Sequence, residues 1–342
     1  MSPSTYASER LDVDRLADHL DHARPGLLTR PLHAELIPGG RSNLTYCVCD
    51  AHGRELVLRR PPLGHVLPTA HNMAREYRLL TSLVGSAVPV PATELLCSDD
   101  DVLGAPFFLM ERADGVAYRS RDQLEPLGPA RVALICGRML AALLDLHSVE
   151  PAEVGLADLG RPTGFLPRQV DRWQRQLERS CSRHLPGLAE LHNRLAAGAT
   201  DGPSRAIVHG DFRLDNLLID ASDEVVAVLD WEMATLGDPL TDLALLVAHT
   251  IEATRSPFRH GAAATTPGFP EPDGLVNAYA AASGRDLDGF GYYLALAFFK
   301  MVGILESIHY RYLAGKTVGI AFADAGARVP WLVEAGLTAL RS

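Results

Sequence analysis

The sequence predicts an α+β protein of two lobes, a small antiparallel β-sheet lobe followed by a larger, mainly helical one. Three observations predict it. Between His33 and Glu111 the apolar residues recur mostly with a period of two, and beyond Gly115 they recur at helical spacing. The length of 342 residues is long for one compact domain and sufficient for two lobes sharing a cleft. The expected boundaries are a helical segment over 1–25, a first lobe over 26–113 and a second over 114–342.

Leu11 to Ala23 has an amphipathic helical pattern that ends near Pro25. Strands are expected at His33–Ile37, Leu44–Asp50 and Glu55–Arg60, the last two joined by the tight turn Asp50-Ala51-His52-Gly53. A helix is expected from Thr69 to Val84, after Pro68, with Met73, Tyr77, Leu80 and Val84 on one stripe. Thr93–Ser98 and Phe107–Glu111 read as two further strands around an acidic turn at Asp99–Asp101. Helices are expected at Ala130–His147 and Gly164–Cys181, then short strands at Leu217–Asp220 and Val225–Asp230. Pro239–His249, Gly274–Ser283, Leu287–Leu313 and Val329–Leu340 complete the helices, with Thr250–Pro272 expected as a loop.

Composition narrows the function. The net charge is −10, against a nucleic-acid partner that would need a broad basic surface. Lysine occurs only at 300 and 316, so a phosphate contact in the first 299 residues must use Arg or His. Cys47, Cys49, Cys97, Cys136 and Cys181 form no Cys-x-x-Cys site and are expected as reduced, mostly buried thiols. The N-terminus lacks a basic-then-apolar signal pattern, and the apolar run Tyr292–Phe299 stops at Lys300. A cytoplasmic protein without a membrane partner is expected.

The chemistry lies in Val208-His209-Gly210-Asp211-Phe212-Arg213-Leu214-Asp215-Asn216 and, after a turn, Val225-Val226-Ala227-Val228-Leu229-Asp230. Phosphoryl transfer needs a group to accept or orient the proton of an attacking hydroxyl, and hard oxygen ligands to hold magnesium against nucleotide phosphates. Asp211 suits the first task. Asn216 and Asp230 suit the second, and Arg213 suits the charge of the transferred group. His209 reads as a brace for the turn. Two other readings stand beside this one: hydrogen-bonded turn residues of a catalytically dead relative, and ligands of a metal-dependent hydrolase. The hydrolase would leave Asn216 and the upstream glycine loop without a task.

The H-x-D-x-x-x-x-N…D order resembles the protein-kinase-like superfamily, and His209-Gly210-Asp211 resembles its aminoglycoside phosphotransferase group. Gly39-Gly40-Arg41-Ser42-Asn43-Leu44, Leu58-Arg59-Arg60-Pro61-Pro62, Arg75-Glu76-Tyr77, Leu236-Gly237-Asp238-Pro239 and Phe299-Lys300…Arg311-Tyr312-Leu313 extend the likeness over residues 26 to 335. They resemble the branch that includes the kinase-like portion joined to acyl-CoA dehydrogenases. The resemblance implies a protein-kinase-like two-lobed fold, and an enzyme using ATP and Mg2+ to phosphorylate a small-molecule hydroxyl.

It also implies the nucleotide contacts. Gly39 and Gly40, with Arg41, Ser42 and Asn43, would cover the phosphates, since glycine lets backbone amides approach them. Where related kinases carry a lysine on the third strand, this chain has Arg59, with Glu76 as its expected partner. Met110, Glu111 and Ala113 fall at the expected hinge, whose backbone would meet the adenine. Asp238 reads as a helix cap before Pro239, and Asp215, Asp242 and Glu232 as supports.

The acceptor is less legible. Arg168, Arg172, Arg175 and Arg179 share one helical face, which is either a solvated face or a basic stripe for an anionic substrate such as an acyl-CoA. Arg175, Lys300 and Arg311 are the substrate candidates. An aminoglycoside pocket would instead be lined with carboxylates.

Overall fold

The computed structural model describes residues 11–37, 43–63, 72–161, 163–200, 205–258, 261–315 and 324–341. The chain divides into two compact units: 1–115 with 226–232, and 116–225 with 233–342.

The first unit opens with α1, Val13–Ala23, whose cap Asp12 accepts the Arg15 N–H and whose Leu16, Ala17 and Leu20 are buried. Strands β1 (His33–Leu36), β2 (Leu44–Cys49), β3 (Glu55–Arg60), β4 (Thr93–Cys97) and β5 (Phe107–Glu111) form an antiparallel sheet in the order β1-β2-β3-β5-β4. The β2–β3 turn is built by Asp50, whose Oδ1 accepts both His52 N and Arg54 N at 2.8 Å. Alternation along β3 separates two tasks. Leu56 and Leu58 join Tyr46, Val48 and Leu16 in one apolar core. Arg60 stands on that side too, buried over the Tyr46 ring at 5.6 Å. Arg59 points to the other face.

Helix α2, Met73–Leu83, has Asn72 as its cap, whose carboxamide takes the Arg75 N–H at 2.9 Å; the expected start at Thr69 lies outside the described residues. The acidic stretch expected as a turn is a one-turn helix, α3, Asp100–Leu103. Asp99 caps it through the Asp101 N–H, and Gly104 at φ 79° ends it.

The second unit holds α4 (Arg121–Leu124), α5 (Pro129–Ser148), α6 (Phe165–Ser180), α7 (Leu188–Gly198), β6 (Ala206–Val208) and β7 (Leu217–Ile219). The chain crosses between units in β8, Val225–Val228. Then follow β9 (Thr235–Gly237), α8 (Leu240–Arg255), α9 (Pro272–Ser283), α10 (Phe290–Leu313) and α11 (Ala325–Ala339). Helix α10 is the axis of this unit and packs against α6, α8 and α11. Trp173, Leu177, Leu245, Phe298, Phe299, Val302 and Leu332 meet in the core.

Several expectations change here. Helix α8 continues to Arg255, with the Thr250 and Thr254 hydroxyls bonded back to the carbonyls of Leu246 and Thr250. Buried Glu252 meanwhile pairs with Arg328. The expected loop over 250–272 is therefore helical at its start and contains a short 3-10 turn at Ala263–Thr265. Helix α7 and strands β6 and β9, which pair antiparallel, were not legible as elements. Asp230 does not extend β8, since its φ of 66° turns the chain. Cys97 and Cys136 are buried, whereas Cys47, Cys49 and Cys181 are half-exposed; all five are free.

At 24 residues, α10 is long and apolar enough by length and composition to cross a membrane, unlike the short run read from the sequence. More than half of its apolar window is buried inside this unit, and Glu306 within it pairs with Arg183 at 2.7 Å.

Candidate active site

In the helical unit, the turn after β6 carries the candidate base. Gly210 has φ 81°, and a Cβ there would lie 2.9 Å from the Met233 carbonyl oxygen, so glycine is required for this path. The turn is held from beneath by Asp242 of α8. Its two carboxylate oxygens accept the N–H groups of His209 at 2.6 Å and Gly210 at 2.7 Å. The fully buried Asp242 is itself met by His147 Nε2 at 3.3 Å, and His147 Nδ1 lies 2.8 Å from the Tyr279 hydroxyl. Burial pushes the Asp242 carboxyl up, but His147 and the Gly210 N–H more than offset it and hold it below the usual range.

His209 is buried, and its Nδ1 accepts the Asp211 N–H at 3.2 Å, so its ring proton belongs on Nε2. The carboxylate of Asp211 is the product of this bracing. Burial raises its pKa, yet Arg213 and Lys300 are strong enough to leave it lowered. Asn216 donates from Nδ2 to the Asp211 backbone oxygen at 2.8 Å and to its carboxylate at 3.1 Å. That orientation leaves the Asn216 Oδ1 as an oxygen donor. Arg213 pairs with Asp215.

Lys300 of α10 donates from its ammonium to the Gly210 carbonyl and lies 5.5 Å over the Trp173 ring. Burial pushes its pKa down to about 8, against the pull of Asp211 and Asp242. It lines a recess of about 510 Å3, open solvent at the mouth included, with Arg172, Trp173, Gly210, Thr235 and Tyr293. Arg175 and Arg311 are not brought there. Arg175 is exposed and bonds the Asp171 carbonyl of its own helix, and Arg311 is exposed in the last turn of α10. Of the arginine stripe, Arg172 faces the recess, while Arg168 bonds the carbonyls of Arg161 and Thr163.

In the strand unit, Arg59 Nη1 lies 2.7 Å from Glu76 Oε1, and Nη2 lies 3.3 Å from Asp230 Oδ1. Burial disfavours the Arg59 cation, but Glu76 and Asp230 outweigh it and raise its pKa. Burial likewise pushes the Glu76 carboxyl up to about 7 despite Arg59. Asp230 is the more exposed carboxylate, with its side chain 37% accessible. Val228 N–H donates to the Pro89 carbonyl at 2.8 Å and anchors the strand before it.

Gly39, Gly40, Arg41 and Ser42 lie outside the described residues. Asn43, at the start of β2, is buried. Met110 is buried in β5 opposite Val57. The Glu111 N–H is committed to the Ala92 carbonyl at 2.8 Å, and Ala113 is half-buried just beyond the strand.

Trp173 and Arg172 as neighbours of Lys300, and Asp242 as the acceptor of two consecutive N–H groups, were not legible in the sequence. The signals were present as one lysine in an apolar helix and one acidic residue in another, each far along the chain from its partner. Among the described residues no group of three or more His, Cys, Asp or Glu side chains is gathered as a metal centre.

An antiparallel sheet unit with an Arg–Glu pair, and a helical unit with a braced Asp and Asn, are the parts of a kinase-like fold. The model of the family described as "Phosphotransferase enzyme family", APH, matches residues 33–276. The chain belongs to the APH phosphotransferase family, whose enzymes transfer phosphate to hydroxyls of small molecules. It is 34% identical to mouse acyl-CoA dehydrogenase family member 10 over 90% of this chain and 30% of that protein. To chicken acyl-CoA dehydrogenase family member 11 it is also 34% identical, over 96% of this chain and 43% of that protein. The chain thus spans less than half the length of these relatives. A crystal structure of a candidate aminoglycoside phosphotransferase from Ralstonia eutropha matches with a TM-score of 0.83 and 30% identity, over 97% of this chain and 99% of that one. An aminoglycoside phosphotransferase in complex with ADP and hygromycin B matches at a TM-score of 0.60 and 16% identity, over 90% and 93%. That likeness is one of fold.

Proposed function

We propose that this protein is a small-molecule kinase that transfers the γ-phosphoryl group of ATP, with Mg2+, to a hydroxyl of its acceptor. The observation that carries the reading is the Asp211 carboxylate, held by its turn, contacted by Asn216 and kept ionised by nearby cations. Such a carboxylate accepts the proton of an attacking hydroxyl, which becomes a stronger nucleophile as the phosphoryl group departs from ADP. Asn216 and Asp230 would hold the magnesium, whose role is to offset charge on the phosphates. Arg59, fixed by Glu76, offers its guanidinium to the phosphates in place of a lysine. Structures of similar fold hold ADP, AMP-PNP or GDP, which supports a nucleotide as the donor.

The acceptor we propose is a hydroxyacyl-CoA-like metabolite. Its anionic character suits Lys300 and Arg172 in the recess, and the relatives that carry an acyl-CoA dehydrogenase name point the same way. A polycationic aminoglycoside, bound with ADP in one neighbour of the same fold, is the competing acceptor. It would meet those two cations unfavourably.

The test is ADP release with a panel of hydroxyacyl-CoAs, aminoglycosides, macrolides, choline and sugars. Turnover of a CoA ester that Asp211→Asn lowers by a factor of about 1,000, with MgATP binding nearly intact, supports the proposal. Turnover of an aminoglycoside alone overturns the acceptor. Full activity of Asp211→Asn overturns the base.

A further inference from the structure

A lysine inside an apolar helix is costly to bury, and nothing in the packing of α10 calls for one. The neighbours at 298, 299, 301 and 302 are Phe, Phe, Met and Val, all buried. What Lys300 reaches instead is a single peptide group. The Gly210 N–H is taken by Asp242 at 2.7 Å, and the Gly210 carbonyl is taken by the Lys300 ammonium. Glycine is the residue whose backbone rotates most freely, so its own chain does little to define where the next side chain points. The two tethers act from opposite sides of Gly210 and remove that freedom immediately before Asp211.

We propose that Lys300 is a positioning residue for Asp211: seated over Trp173 and bonded to the Gly210 carbonyl, it fixes the turn that carries the carboxylate. The tether itself is independent of what the protein phosphorylates, whereas its effect on turnover rests on the kinase reading.

The groups around the ammonium are few. Arg172 and Trp173 come from α6, Asp211 from the turn, and Asp242 and His249 from α8. On the flanking helices, His192 of α7 stacks on Phe299, Arg328 of α11 pairs with Glu252, and Tyr293 of α10 donates to Asp238. Burial has pushed His249 down to about 3, so it is neutral at working pH and does not compete for the role. A charged donor makes the stronger bond to a carbonyl, so the tether is strongest while Lys300 is protonated and weakens as pH rises past about 8.

Lys300→Met and Lys300→Arg test this with two measurements. Methionine fits an apolar helix, so the variant is expected to fold with a melting temperature near that of the parent. Amide hydrogen exchange of the segment 209–214 should rise about tenfold in Lys300→Met while β6 and β9 stay protected. Turnover should fall about 100-fold, with the KM for ATP within a factor of about three, because the carboxylate is misplaced and nucleotide contacts are not. Lys300→Arg should restore protection and most of kcat, and move the alkaline limb of the kcat profile upward from about 8, since guanidinium does not titrate there. Unchanged exchange in Lys300→Met overturns the tether. Unchanged exchange with an unmoved alkaline limb in Lys300→Arg removes the residue from the mechanism altogether. Absence of phosphoryl transfer in the parent protein would defeat the kinase reading alone, and the exchange measurement would still decide the tether.

Discussion

Arg59 holds two carboxylates at once: Glu76 at 2.7 Å through Nη1 and Asp230 at 3.3 Å through Nη2. A lysine carries its donors on one nitrogen, whereas the planar guanidinium sets a separate nitrogen beside each carboxylate, so the arginine at this position also faces Asp230. Removing it leaves Glu76 buried without its counter-charge. Arg59→Ala should weaken MgATP binding at least tenfold and destabilise the protein by about 3–5 kcal/mol. Arg59→Lys should recover part of the affinity and less of the stability. Fluorescent-nucleotide displacement and urea unfolding read the two effects, and an unchanged affinity in Arg59→Ala would take the residue out of the nucleotide site.

The legible parts of this protein were those whose meaning lies in spacing along the chain. Asp211, Asn216 and Asp230 fall within 20 residues, and their polar types at fixed intervals have few structural uses. Arg59 and Glu76 were legible because each occupies a position in an ordered strand or helix. Strands β6 and β9, at three residues each, are too short to show a period. The arginine stripe lies on α6, yet only packing decides that Arg172, itself exposed, borders the recess and Arg175 does not. The Asp242 link to the turn spans 32 residues to Gly210, and no local pattern announces it.

That link has its own consequence. Asp242 accepts two buried N–H groups and faces His147, and its carboxyl is held below its ordinary value of 3.8. A depressed carboxyl contributes stability that is present above the unfolded value and lost as pH falls through the folded one. Asp242→Asn cannot accept at both atoms, so it should lose about 3 kcal/mol at neutral pH. Its stability should also decline less steeply than the parent's below about pH 4. Urea unfolding at a series of pH values measures both, and parallel curves for the two proteins would show that Asp242 does not carry the acid sensitivity.

Asp230 sits at φ 66°, a conformation that asparagine tolerates at least as well as aspartate. Asp230→Asn therefore keeps the backbone while removing the charge that would meet magnesium. The Mg2+ concentration for half-maximal turnover should rise at least tenfold, and EDTA should abolish activity in the parent. Thermal stability should change little, because Asp230 is the exposed partner of Arg59 and Glu76 remains. A magnesium dependence identical to the parent's would assign the metal to other ligands.

Gly268 is the position in the helical unit where substitution should be most damaging to stability without touching the site. Its φ is 95°, and a Cβ would stand 2.2 Å from the Pro129 carbonyl oxygen, a backbone atom that opens α5 and cannot swing aside. Gly261, at φ 58°, has nothing within 4 Å of its Cβ position. Gly268→Ala thus combines strain with overlap and should cost about 3 kcal/mol or more, whereas Gly261→Ala carries the strain alone at about 1 kcal/mol. Differential scanning calorimetry separates the two, with the larger fall in Tm at 268. Equal shifts would mean that the segment holding Gly268 can move away from α5, and that its path is set elsewhere.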